Sequence, residues 1–270
     1  MLKRYISKMN VQKNTILITG GTGGFGYTFA SKLIALGNTV IITGRNEQKL
    51  QDIKRRLPAV HVIKSDVAQV EDICELYDHI AVQFPNLNML INNAGEMRKI
   101  SLQQAQDLND ITREVEINLM GPIRMIQAFL PLLKKQQKAL ILNVTSGIAL
   151  SPFAISPIYS ASKAGLRSYT QALRVQLKNT DIKVMELVAP GSSTSLNDKF
   201  MQEDGFNAKM LMAPEKIVDA AIKGIRQNKE EVFPGLAKVM RMVSRLAPKL
   251  MIAQAGKMGA SFMYGTNRTK

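Results

Sequence analysis

One cysteine, Cys74, and two histidines, His61 and His79, are all the soft metal-ligand chemistry in 270 residues. Cys74 has no partner for an internal disulfide, and three such residues scattered along the chain do not make a zinc set, so no metal is expected and a reducing, cytoplasmic setting is the default. No segment reaches the roughly 18 consecutive apolar residues of a membrane-spanning helix. The opening ten residues are basic, but Lys8, Asn10, Gln12 and Lys13 interrupt them before an apolar stretch forms, which argues against a secretory leader. Aromatic residues are only 6% of the chain, leaving few stacking platforms, and no nucleic-acid motif is present, so no nucleic-acid partner is expected. Acidic residues are scarce as well: 21 Asp and Glu against 36 Lys and Arg leave a net charge of +15, and the stretch from Val232 to Lys270 has seven basic residues and no acid. Such an excess suits a polyanionic small molecule or an anionic membrane surface.

What is present is an ordinary globular balance, 46% hydrophobic and 21% charged. Short β-rich runs alternate with longer amphipathic stretches, the pattern of βαβ units around a parallel sheet. The runs begin near Thr15, Val40, Val60, Met89, Ala139, Val184 and Val232, giving seven strands. Helical stretches lie between them, including one long stretch over 107–134 with bends expected at Pro122 and Pro131. The reading is an α/β fold with a single doubly wound sheet: residues 1–234 form the domain, and 235–270 a basic amphipathic extension. Cys74 reads as a packing residue, His61 and His79 as structural or surface residues, and Lys134-Lys135 as a complement to a helix dipole.

Two constellations carry chemistry. After the first strand comes Thr19-Gly20-Gly21-Thr22-Gly23-Gly24-Phe25-Gly26, immediately ahead of a helix pattern. Glycines there let the backbone approach a pyrophosphate, and a helix N-terminus offers free N–H groups and a positive dipole. Three glycine fingerprints fit this one loop, so alone it indicates a dinucleotide without choosing a branch. The second constellation is Tyr159-x-x-x-Lys163, with Ser146 thirteen residues earlier. Spacing i,i+4 puts phenol and ammonium on one helical face, where the ammonium is expected to lower the phenol's pKa from about 10.

With Asp66-Val67, Asn92-Asn93-Ala94-Gly95, Asn118 and Pro190-Gly191 in the same order, the chain resembles the short-chain dehydrogenase/reductase family over about Thr15–Phe233. Leu57-Pro58, His61 and Phe84–Asn88 give it a finer likeness to the DltE-type oxidoreductases of that family. The resemblance implies a single Rossmann domain with a seven-stranded parallel sheet, a small-molecule carbonyl or alcohol substrate, and a homodimer or homotetramer. It implies Tyr159 as general acid or base, Lys163 lowering its pKa and holding the nicotinamide ribose, Ser146 orienting the carbonyl, and Asn118 supporting a relay water. Gly20, Thr22, Gly24, Phe25 and Gly26 would cradle the cofactor, with Asp66 and Val67 at the adenine. Asn93, Ala94 and Gly95 would line it, and Pro190 and Gly191 would lie by the nicotinamide. Two and four places beyond Gly191, where the family commonly has a hydrophobic residue and then Thr, stand Ser193 and Ser195. Ser195 is expected to bind the carboxamide through its hydroxyl and Ser193 through its backbone N–H.

The cofactor expected is NADP(H) in preference to NAD(H). An NAD site places a carboxylate at the end of the second strand; here Thr43 stands there, followed by Gly44 and Arg45, whose guanidinium suits a 2′-phosphate. Leu150, Phe153, Ile155, Phe200, Phe206 and Met210 are expected to form an apolar substrate pocket under a mobile segment spanning 192–212. The competing reading is a catalytically silent cofactor-binding regulatory or membrane-surface scaffold, against which the intact Asn118, Ser146, Tyr159 and Lys163 set argues. Past Gly235, Lys238, Arg241, Arg245 and Lys249 form a basic stripe beside an apolar one of Val239, Met242, Val243, Leu246 and Leu250. The apolar stripe is expected to cover the domain or a twin subunit. The alternative is peripheral contact with the inner face of a membrane through 236–258.

Overall fold

Apolar runs too short for helices form the centre of the molecule. The computed structural model describes residues 9–264, so most of the basic opening and the last six residues of the predicted extension lie outside the described residues. Its strands are β1 (Thr15–Ile18), β2 (Thr39–Gly44), β3 (His61–Lys64), β4 (Leu87–Asn92), β5 (Ala139–Ser146), β6 (Ile182–Ala189) and β7 (Glu231–Val232). All seven pair in parallel in the order β3-β2-β1-β4-β5-β6-β7. β5 and β6 are buried along their whole length, as strands covered on both faces must be.

Helices α1 (Gly24–Ala35), α2 (Glu47–Arg56) and α3 (Val70–Gln83) return the chain between the early strands. A short turn α4 (Arg113–Val115) runs through a π-helical turn, Glu116–Met120, into α5 (Gly121–Lys134). The long α6 (Pro157–Gln176) follows β5, while α7 (Ser195–Asp198) and α8 (Pro214–Arg226) precede β7. The chain ends with α9 (Leu236–Leu246), α10 (Pro248–Ala255) and α11 (Ala260–Tyr264). Period-two alternation splits each strand between two cores. Ile16 and Ile18 face a cluster with Phe29 and Leu33 of α1 and Ile217 of α8, whereas Leu17 joins Ile80 of α3, Phe129 of α5 and Leu173 of α6 on the other face.

Two expectations need correction. The helix expected over 107–134 starts only at Arg113, and it runs on through Pro122, the second residue of α5. The π turn, with its wider i→i+5 bonding, lies immediately ahead of that proline and contains Asn118. Cys74 is exposed on α3 and not packed, because the buried face of that helix is carried by Ile73, Leu76 and Ile80.

The connections create a crevice. From β1 the chain steps outward through β2 to β3, then crosses back to β4 and steps the other way, so the loops after β1 and β4 diverge. A buried amide ladder fixes this end of the sheet. Asn92 Nδ2 donates to Asn143 Oδ1 at 2.8 Å, and Asn143 Nδ2 donates to Thr170 Oγ1 of α6 at 2.9 Å. The glycine loop is held equally closely: a Cβ at Gly26 would overlap the Gly20 carbonyl and come within 2.7 Å of Asn93 Nδ2. Gly26→Ala is therefore expected to destabilise the domain by about 1–3 kcal/mol, the usual cost of overpacking, read as a lower midpoint in urea denaturation.

Candidate active site

The C-terminal ends of the strands surround a cleft of about 690 Å3 that extends from Thr22, Arg45 and Asp66 to Ser146, Tyr159 and Lys163. Its floor is the glycine loop. Gly20 and Gly24 adopt φ of +67° and +51°, the left-handed region that glycine enters without strain. The N-cap of α1, Gly23, supplies no side chain, and a Cβ there would meet nothing within 4 Å. The first-turn amides of a twelve-residue helix are thus left uncapped beside the cleft, as an anion-binding turn requires. Phe25, Val67, Ala94 and Gly95 line the same space.

Asn93 is used to build the floor. Its Nδ2 donates to the carbonyls of Thr19 and Gly20, both at 3.0 Å, while Thr19 Oγ1 accepts the Asn93 and Ala94 N–H groups at 3.0 and 3.1 Å. This ties the loop after β1 to the loop after β4. Asp66 Oδ1 accepts from Ala68 N at 3.0 Å, making the turn that brings Val67 against Gly121.

On the opposite wall α6 presents Tyr159 and Lys163, both buried. Lys163 Nζ donates to Val144 O of β5 at 3.0 Å and lies 5.7 Å from the centre of the Tyr159 ring. One of three ammonium donors is thereby used, and no other protein acceptor takes one among the described residues. Burial depresses the Lys163 pKa to about 8. Tyr159 moves the other way from the expectation: desolvation pushes the phenol up to about 12, and hydrogen bonding from Ser146 only partly opposes this. The negative charge of Glu114 adds to the cost of a phenolate there, so at neutral pH the phenol keeps its proton.

Asn118, fully buried in the π turn, clamps the segment after β4. Its Oδ1 accepts Glu96 N–H at 2.9 Å, and its Nδ2 donates to Glu96 O at 2.8 Å and to Ser162 Oγ at 3.0 Å. Next to it Arg98 donates from its backbone N–H to Glu114 Oε1 at 2.8 Å and from Nε to Oε2 at 3.2 Å. The Glu114 carboxyl is itself buried, which raises its pKa. Glu96 and Glu114 escaped the sequence reading. The available signals were adjacency to the Asn92–Gly95 motif for Glu96 and a place one helical turn before Asn118 for Glu114.

The segment after β6 differs from expectation. Pro190, Gly191 and Ser195 line the cleft, but Ser193 does not. Ser193 N–H donates to Met212 O at 3.2 Å, next to a bridge between Ser192 and Met212, so this amide is already committed. Ser192 and Thr194 line the cleft instead, Thr194 close to Gly24. The six apolar residues expected to form a substrate pocket do not line the cleft either. Ile155 and Phe200 are fully buried in a small core with Phe153, Phe206 and Met263, the last contributed by α11, while Met210 is exposed. The apolar lining near Ser146 comes from Met97, Ile148, Leu196 and Met240, the last lying against Gly147.

The comparisons with known proteins agree with this geometry. Residues 14–205 match the family model described as short chain dehydrogenase. The chain is 38% identical to a Bacillus subtilis protein named uncharacterized oxidoreductase DltE, over 88% of this chain and 94% of that protein. The chain belongs to the short-chain dehydrogenase/reductase family. It is of the DltE type, and it is an NAD(P)-dependent oxidoreductase. A short-chain dehydrogenase from Burkholderia cenocepacia in complex with NADP shares the fold with a TM-score of 0.79 at 23% identity, covering 92% of this chain and 99% of that one. A family member from Burkholderia phymatum in complex with NAD gives 0.78 at 22% identity, over 90% and 96%. A nicotinamide dinucleotide is compatible with the residues present, which pair an uncapped glycine turn with a buried ammonium holding unspent donors.

Replacing Asn118 by Leu would orphan the Glu96 N–H and C=O inside the protein. The expected loss is about 1–3 kcal/mol per unpaired group, with faster hydrogen exchange at the Glu96 amide as the local signature.

Proposed function

We propose that this reductase moves a hydride between NADPH and an apolar carbonyl or alcohol substrate, with Tyr159 as the proton-transferring residue. The observation that carries the proposal is the buried Ser146, Tyr159 and Lys163 group facing the uncapped glycine turn across one cleft. When bound, the nicotinamide cofactor supplies the hydride for reduction or accepts it in oxidation. Tyr159, held protonated by burial, donates its proton to the carbonyl oxygen as that oxygen becomes an alcohol; in oxidation the phenol oxygen takes the proton back. Ser146, which lines the cleft with Tyr159, orients the same oxygen. The free donors of Lys163 hold ribose hydroxyls, and the nearby positive charge stabilises the phenolate left after transfer. Asn118 fixes the wall beside Lys163, since a Cβ at Gly95 would lie 3.2 Å from Asn118 Oδ1 and 3.6 Å from Lys163 Nζ. Thr194 and Ser195 present hydroxyls to the carboxamide. Met97, Ile148, Leu196 and Met240 favour an apolar substrate. The same reading makes the enzyme a cytoplasmic homodimer or homotetramer without a nucleic-acid partner.

Tyr159→Phe keeps the ring and removes only the donor. It is expected to slow carbonyl reduction about 10²–10⁴-fold while leaving NADPH affinity nearly unchanged, as measured by steady-state kinetics and NADPH fluorescence titration. Wild-type turnover in this variant would favour the silent scaffold reading or another proton source.

Preference for NADPH rests on Arg45. Its guanidinium follows β2, is largely exposed, and stands 3.7 Å from Glu96 Oε2 across the crevice above β1. Thr43, in place of a carboxylate, is fully buried. At 3.7 Å this is a contact without a hydrogen bond, and the exposed Arg45 guanidinium keeps its donors for a 2′-phosphate, which would gain charge-assisted contacts there. Arg45→Ala should weaken NADPH by about tenfold or more and NADH little, the span of a charge-assisted hydrogen bond. Equal wild-type affinities for the two cofactors would contradict the assignment.

A further inference from the structure

Helix α9 has three faces. The inner one carries buried Ala237 and Met240, whose sulfur lies within 2.8 Å of the position a Gly147 Cβ would take. Arg241 fastens the helix beside it, pairing with Glu231 Oε2 at 3.3 Å and lying 4.5 Å over the Phe233 ring. The second face is apolar yet open: Val239 is 49% exposed, Met242 58% and Leu246 79%, while on α10 Leu250 and Ile252 are exposed as well, at 66% and 55%. These residues therefore do not cover their own domain, one of the two readings expected for this stripe. The third face carries Lys238 and Arg245, with Lys249 on α10, and none of the three has an acidic partner among the described residues. At 100° per residue the basic side chains lie roughly a quarter-turn from the apolar stripe, as in a helix lying in a lipid interface with ammonium and guanidinium groups at headgroup level.

Charge decides the occupant. A second copy packed on this face about a twofold axis would bring Lys238, Arg245 and Lys249 of both copies together, and no acid between Val232 and Lys270 is available to pair with them. An anionic lipid surface supplies both the apolar phase and the countercharge. We propose that α9 and α10 seat the protein on an anionic membrane, with Val239, Met242 and Leu246 entering the headgroup–acyl boundary. Because Met240 on the inner face of α9 lines the cleft beside Gly147, the substrate end of the active site then stands one helix diameter, about 10–12 Å, from the lipid.

Co-sedimentation of the full chain tests this, using vesicles of phosphatidylcholine alone and with phosphatidylglycerol added. Wild type is expected to pellet only with the anionic vesicles. Lys238→Glu with Arg245→Glu should weaken that binding at least about 30-fold, since each basic residue near such a surface contributes roughly fivefold. Val239→Ser with Leu246→Ser should weaken it on the order of tenfold per side chain, with the basic stripe and the net charge unchanged. Both double variants alter exposed residues outside the cleft, and retained NADPH binding confirms that each is folded. Failure of wild type to bind anionic vesicles at low salt overturns the proposal. So does wild-type binding by the Val239/Leu246 variant, which would mean adsorption by net charge alone. A fall in lipid-free molecular mass on the Val239/Leu246 substitutions overturns it in favour of a second copy of the chain.

Discussion

The site depends on one contact that water would abolish: the Lys163 ammonium held against the Val144 carbonyl inside the protein. A charged amine out of water is costly unless its donors are used, and this contact uses one. Burial brings its pKa down to about 8 and raises that of the adjacent Tyr159 to about 12. Desolvation thus produces a neutral proton donor beside a marginally stable cation. The two lie one helical turn apart on α6, a helix positioned by the Asn143 to Thr170 hydrogen bond from the same strand that supplies Val144 and Ser146.

The rest of the cleft is built around that pair. The parallel sheet ends all its strands on one side, and the change of direction at β1 and β4 opens the crevice there. Two asparagines keep the crevice walls in place: Asn93 ties the glycine loop to β4, and Asn118 ties the segment after β4 to the π turn. Both spend their amides on backbone groups, and Asn118 also on the Ser162 hydroxyl, so each acts by positioning neighbouring residues. The C-terminal helices complete the far end, with Met240 at the cleft and Met263 in the small core beneath Phe153 and Phe200.

The parts legible in the sequence are those whose chemistry is local. Strand spacing, the glycine turn ahead of α1 and the i,i+4 relation of Tyr159 and Lys163 each need only a few neighbouring residues, and they stand where the pattern puts them. The parts not legible depend on distant packing. Phe200 reads as pocket lining until α11 is seen to enclose it. Ser193 reads as a cofactor contact until Met212 takes its N–H. The direction of the Tyr159 shift depends on how dry α6 is against β5, which no spacing reveals. Glu96 and Met240 join the cleft from a loop and a terminal helix whose placement has no short-range code.

The central claim is that a buried, still ionisable Lys163 anchors the cofactor. Its most direct test is the pH dependence of NADPH affinity, followed by fluorescence titration across the range around the lysine's pKa of about 8. Because the folded pKa lies below the ordinary lysine value, the ammonium is present below about pH 8 and is lost as pH rises through it. The account predicts affinity that is steady on the acid side and falls on the alkaline side, and a Lys163→Met variant that binds more weakly with no such step. Affinity that stays level through this range in the wild type, or the same alkaline fall in Lys163→Met, would contradict it.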